Sequence, residues 1–126
     1  MIINGLLDTN VLIDVLRNYQ PANYWLAQQS QLGISRFIHM ELIEGARNKQ
    51  ELKQILAFLR NFATIPVFDD DVIWAQNQLA KYNLSHQVGS LDCLIASSAH
   101  RLQLPLYTLN IKDFKPLLGN LAQRPY

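Results

Sequence analysis

Ten acidic residues are spread along the 126-residue sequence, and four of them stand where a carboxylate can do chemistry. Asp8 ends an almost continuously apolar run, Met1 to Leu7, that reads as a buried strand. Asp92 falls in the first turn of a helical stretch beginning at Ser90, and Asp113 follows the apolar segment Leu104 to Thr108. Glu41 shares a helical face with Phe37, Ile38 and Leu42, and a carboxylate on an apolar face must be paired, protonated or bound to a cation. Taken singly, each has an ordinary explanation: Asp8 and Asp92 cap helices, Asp113 sits in a turn, and a rotated helix sends Glu41 to solvent. Independent caps need not all fall on one rim. Carboxylates that converge repel one another, and a hard divalent cation such as Mg²⁺ or Mn²⁺, which prefers oxygen ligands, resolves the repulsion.

Other chemistries find no support. His39, His86 and His100 lack HxxH or HExxH spacing and read as structural or surface residues, and the single cysteine, Cys93, excludes a zinc ribbon, a CxxC site and an internal disulfide. Beside Asp92 in a helix, with no Cys/His/Asn set, Cys93 reads as a small buried hydrophobe. The triplet Asp69-Asp70-Asp71 opens a helix and reads as capping acids that suit its dipole. A formal charge of +1 does not announce a nucleic-acid binder. The apolar runs are too short to span a membrane and no basic, apolar leader is present, so a cytoplasmic location is expected.

The elements that position these acids follow from hydrophobic spacing. A helix through Val11, Leu12, Val15 and Leu16 is expected to end at Asn18 and Pro21, and a second, from about Tyr24 to Gln31, brings Trp25 and Leu26 to the core. Gly33 to Ser35 reads as a short strand with Ser35 capping the Glu41 helix. Leu52, Ile55, Leu56 and Leu59 make the apolar stripe of a helix from about Lys49 to Phe62. Thr64 to Phe68 is a strand candidate, placed at an edge or an end by Pro66. Asp69-Asp70-Asp71 precedes a helix carrying Val72, Ile73, Gln76, Leu79 and Ala80, Asn83 to Gly89 is a polar connection, and the tail to Tyr126 is read as adding an edge strand. Strands alternating with helices give one α/β domain over residues 1–126, a three-layer α/β/α sandwich around a short, mostly parallel sheet. In such sheets the functional crevice lies beyond the carboxyl ends of the strands, where Asp8, Asp92 and Asp113 map.

Four segments in order, Leu7-Asp8-Thr9-Asn10, Met40-Glu41-Leu42-Ile43-Glu44-Gly45-Ala46, Leu91-Asp92-Cys93-Leu94-Ile95-Ala96 and Tyr107-Thr108-Leu109-Asn110-Ile111-Lys112-Asp113-Phe114, resemble the motifs of PIN-domain nucleases, most closely the VapC-type toxins of bacterial toxin–antitoxin pairs. The resemblance implies a metal-dependent endoribonuclease that hydrolyses RNA phosphodiester bonds. It implies that Asp8, Glu41, Asp92 and Asp113 are the catalytic acids and hold Mg²⁺ or Mn²⁺, with Asn10, Thr108 and Asn110 as polar partners at the cofactor site. Asn10 would orient Asp8 or a substrate phosphate. Some family members carry an acid at the position of Asn110, others have Asn there and Asp three residues on, so Asp113 is taken as the fourth acid. If Asp113 instead caps a turn, the site has three. Arg17, Arg36, Arg47, Lys49, Lys53, Lys112 and Lys115 are candidate phosphate contacts or plain surface charges. A small VapB-like antitoxin and a homodimer are the implied partners, with the first two helices, Tyr24 and Trp25 as candidate surfaces.

Two rivals and one variant remain. A receiver-type signalling domain needs an acid pair after strand one, and here Asp8 stands alone. A DxDxT phosphatase needs a second Asp where this sequence has Asn10. The variant is a catalytically inactive PIN fold acting as a protein- or RNA-binding module.

Overall fold

The computed structural model describes residues 2–126; Met1, read as the head of the first strand, lies outside them. Five strands, β1 (Gly5–Leu7), β2 (Leu32–Ser35), β3 (Ala63–Ile65), β4 (Leu106–Tyr107) and β5 (Ala122–Gln123), form one sheet in the order β3-β2-β1-β4-β5. Every neighbouring pair is parallel. Seven helices cover it: α1 (Thr9–Leu16), α2 (Gln20–Ala27), α3 (Arg36–Glu44), α4 (Lys49–Leu59), α5 (Asp69–His86), α6 (Ser90–Leu102) and α7 (Ile111–Leu118). The result is the three-layer α/β/α arrangement expected from the alternation of elements.

The central strands are buried on both faces, which is why β1 and β2 read as unbroken rather than alternating apolar runs. Leu6, Leu7, Val11, Leu12, Ile34, Ile38, Leu106 and Phe114 are fully buried, and each contributes about 1.5–3 kcal/mol by leaving water. Gly5 is required by its neighbour: a Cβ there would sit 2.6 Å from Cε2 of Tyr107, whose ring is met edge-on by Trp25 with centroids 4.9 Å apart. Trp25 is thereby committed to packing against β4.

Several boundaries differ from the sequence expectation. Pro21 does not stop α1; it lies in the first turn of α2, where its missing N–H is no loss, so α2 begins at Gln20 rather than Tyr24. The chain breaks instead at Asn18, in the left-handed region at φ 60. Strand β3 ends before Pro66 and is an edge strand. Helix α5 continues through the exposed segment Asn83 to His86, apolar Leu84 included, and ends at the left-handed Gln87. Leu56, expected in the apolar stripe, is exposed, as are Val72 and Ile73, because α4 buries only Ile55 and Leu59 and α5 only Asp71 and Ala75. Ser35 precedes α3 but its hydroxyl, buried without a hydrogen-bond partner, caps nothing.

Of the acidic triplet, Asp71 does the capping: its Oδ2 accepts from the Phe68 N–H at 2.9 Å. It is also ion-paired, 3.0 Å from Nε of Arg101, so one carboxylate ties the start of α5 to the last turn of α6. No helix among the described residues is long and apolar enough to cross a membrane.

Candidate carboxylate site

A parallel sheet sends all its carboxyl ends to one rim, and the four acids arrive there from different elements. Asp8 leaves β1 and caps α1, its Oδ1 accepting from the Thr9 N–H at 2.8 Å. Asp92 lies in the first turn of α6 and Asp113 in the first turn of α7, just past β4. Glu41 comes from α3, where the Thr9 hydroxyl donates to its Oε1 at 2.6 Å.

The first and fourth motif segments are stitched together. Thr108 Oγ1 donates to Asp8 Oδ2 at 2.7 Å and accepts from the Asn110 N–H at 2.9 Å. The Asn110 side-chain amide in turn donates to Asp113 Oδ2 at 2.8 Å. Thr108 and Asn110 therefore work as polar partners of the acids. Asn10 does not bond Asp8: its Oδ1 accepts from the Leu109 N–H at 3.2 Å and holds the segment after β4 against α1.

The acids share an electrostatic environment. Asp8, only 6% exposed, has its carboxyl pushed up to about 6, chiefly by burial and further by the charges of Glu41 and Asp92, while the Thr108 and Thr9 hydrogen bonds pull it back. Asp92 is raised as well, first by burial and then by the charges of Asp113 and Glu41. Glu41 thus bears on both the buried Asp8 and the half-buried Asp92, and Asp92 links Asp8 to Asp113. Among the described residues no three or more His, Cys, Asp or Glu side chains are grouped closely enough to hold a metal ion as they stand. The carboxylates ring the crevice, and their like charges oppose closer approach. An all-oxygen set carrying uncompensated negative charge suits a hard divalent cation better than zinc, whose protein sites mostly include nitrogen or sulfur.

The remaining candidates resolve as follows. His39 meets Thr64 at 3.2 Å, His86 meets Ser85 at 2.7 Å, and His100 stacks on Trp74; all three are away from the acids. Cys93 is fully buried and its thiol is pushed up by burial and by Asp92, which makes it inert. Arg17 is paired with Asp14 and Arg47 with Glu51, whereas Arg36, Lys49, Lys53, Lys112 and Lys115 are exposed. Two polar residues escaped the sequence reading. Thr9 lacked any spacing signal because its partner lies 32 positions away. Asp14, 6% exposed, is matched to the Tyr126 hydroxyl at 2.7 Å from 112 positions away.

A family model described as the PIN domain matches residues 5–115. The chain belongs to the PIN domain family. Ribonuclease VapC10 of Mycobacterium tuberculosis is 34% identical over 113 residues, 86% of this chain and 84% of the relative. Shigella flexneri tRNA(fMet)-specific endonuclease VapC is 32% identical over 122 residues, covering 90% and 92%. Among solved structures, a toxin–antitoxin complex from Klebsiella pneumoniae superposes with a TM-score of 0.77 at 28% identity over 98% of both chains. Within the PIN family this chain therefore groups with the VapC ribonucleases, and the order of acids along it is the one its sequence motifs imply.

Proposed function

We propose that this PIN domain is a metal-dependent endoribonuclease, the toxin of a toxin–antitoxin pair, with Asp8, Glu41, Asp92 and Asp113 holding Mg²⁺ or Mn²⁺. The observation that carries the reading is the placing of four carboxylates from four elements on one rim, with Asp8 and Asp92 both raised, first by burial and then by their neighbours' charge. When bound, such an ion supplies a water of lowered pKa and neutralises charge gathering on a phosphate. The chain's own contribution is placement. Asp8 is fixed through both oxygens by Thr9 and Thr108, Glu41 through one by Thr9, and Asp113 through one by Asn110. Each carboxylate keeps unshared lone pairs for a cation, because an ionised carboxylate offers about four acceptor positions. Hydrolysis then needs no protein nucleophile, consistent with the inert Cys93.

The antitoxin partner is proposed on the same footing. A cavity of about 480 Å³ between α1, α3 and α4 is walled by Ile13, Leu16, Leu42 and Ile55, with Glu41, Arg17 and Arg47 also in its lining. An amphipathic helix laid along it can bring a basic side chain to the acids. The solved relatives that are toxin–antitoxin complexes, including VapBC2 of Rickettsia felis, TM-score 0.72 and 26% identity, favour this occupant. Of the surfaces expected on the first two helices, Ile13 and Tyr24 remain exposed, whereas Trp25 packs against Tyr107 and Tyr126. A homodimer is proposed as well, and light scattering of the purified chain tests it: a monomer at micromolar concentration removes it.

Titration calorimetry of Mn²⁺ into the metal-free protein tests the site. Saturable binding that Asp92→Asn abolishes supports the reading, and heats equal to buffer dilution overturn it.

A further inference from the structure

Thr9 touches two of the four acids at once. Its backbone N–H donates to Asp8 Oδ1 at 2.8 Å and its hydroxyl donates to Glu41 Oε1 at 2.6 Å. No other side-chain hydrogen bond among the described residues reaches Glu41. Glu41 is a long, flexible side chain that enters the rim from α3, with one rotatable bond more than an aspartate has. Asp8 and Asp113 each have a partner close to their own strand end; Glu41 depends on a residue of another element. Thr9 is the first residue of α1, so its own position is set by the strand-to-helix junction that also sets Asp8.

We infer that Thr9 is a positioning residue for the cation site: its hydroxyl holds the Glu41 carboxylate at the rim beside Asp8, and the affinity for the divalent ion depends on that bond. The inference rests on the metal-site reading above. Groups that hydrogen-bond a metal-ligating carboxylate fix its orientation, and their loss commonly costs 10- to 100-fold in metal affinity. Threonine suits the place because its branched side chain has restricted rotamers, so the hydroxyl is presented with little loss of freedom.

The test uses Thr9→Val, which keeps the branched shape and removes only the hydroxyl, and Thr9→Ser, which keeps the hydroxyl. Mn²⁺ is titrated into the metal-free full chain by calorimetry, and the melting temperature is recorded with and without the ion. Expected for Thr9→Val is an Mn²⁺ affinity weakened about 10-fold or more, with the metal-free melting temperature within a few degrees of wild type. Thr9→Ser is expected to restore most of the affinity. An unchanged affinity in Thr9→Val overturns the inference, as does a lowered metal-free melting temperature accompanied by wild-type affinity, the mark of a purely structural threonine. If the wild type itself binds no Mn²⁺, the metal reading of the site falls and this inference with it; that failure is told apart because it occurs before any substitution.

Discussion

Thr108 and Asp8 lie 100 positions apart in the sequence and 2.7 Å apart in the fold, the threonine hydroxyl donating to Asp8 Oδ2. Both are buried, and the bond closes the central pair β1 and β4 at the end where the acids gather. The same hydroxyl accepts from the Asn110 N–H, so a single oxygen serves a carboxylate on one side and a backbone donor on the other. Replacing it by a methyl leaves two buried polar groups short of a partner. Thr108→Val is expected to lower unfolding free energy by about 1–3 kcal/mol at pH 7. The loss is expected to be smaller at pH 4.5, where a protonated Asp8 depends less on an incoming donor. Urea titrations at the two pH values check this, and equal stability of variant and wild type contradicts it.

Stability of the metal-free protein should fall as the medium becomes less acidic. Asp8 takes its ordinary value of 3.8 when unfolded and about 6 when folded. Below 3.8 both states carry the proton; as pH rises the unfolded chain releases it first, while the fold must hold it or bear a buried charge. The stability associated with the neutral carboxyl is therefore present in full at low pH and is lost as pH passes through 6. The loss amounts to up to about 3 kcal/mol for one such group. Asp8→Asn isolates it: the stability of the variant minus that of wild type should climb between pH 4 and 7. A pH-independent difference removes the assignment. Saturating Mn²⁺ should flatten the wild-type decline, because ligation uses the charged form.

Asp92→Asn should separate chemistry from folding most cleanly. Asp92 is raised by burial and by the charges of Asp113 and Glu41, so neutralising it relieves repulsion while keeping shape. In metal-free buffer its melting temperature should equal or exceed that of wild type, and Mn²⁺ should no longer raise it. A fall in melting temperature without metal would show Asp92 to be a structural acid. Asp8→Asn is less clean, since its amide has a single accepting oxygen where the carboxylate uses two, one for Thr9 and one for Thr108.

How much of this was legible in the sequence differs between elements. The strand-to-helix junction at Asp8 was readable, because an apolar run that stops at an acid followed by helical spacing has few alternatives. The parallel sheet followed from the alternation of elements, and Glu41 stood out as a charge among Ile38 and Leu42. What was not legible depends on contacts between distant positions. Thr9 and Asn10 are neighbours with similar polarity, and only the turn of α1 decides that Thr9 meets Glu41 while Asn10 meets Leu109. Pro21 misled because the same residue that stops one helix can open the next. The exposure of Val72 and Ile73 was not legible because α5 presents a narrow buried stripe, held in part by the Asp71–Arg101 pair.

That pair gives a stability test remote from the rim. Arg101 donates to both oxygens of Asp71 at 3.0 and 3.2 Å and to the Pro66 carbonyl at 2.9 Å, and its guanidinium lies 4.7 Å from the Phe68 ring. Asp71 is only 3% exposed, so Arg101→Ala leaves a buried carboxylate unpaired. A loss of about 3 kcal/mol is expected, with Mn²⁺ affinity unchanged because Arg101 lies in the last turn of α6 and Asp92 in the first. Partial rescue by adding Asp71→Asn confirms the cause; wild-type stability in Arg101→Ala refutes it.

The most direct test of the whole reading is cleavage of end-labelled single-stranded RNA by antitoxin-free protein in Mn²⁺, beside an EDTA control and the Asp92→Asn variant. Cutting that requires the ion and disappears in the variant is the expected result. If a broad pool of transcripts is left intact by wild type, or if Asp92→Asn cuts equally well, the carboxylate rim is not a nuclease site and the fold serves as a binding module.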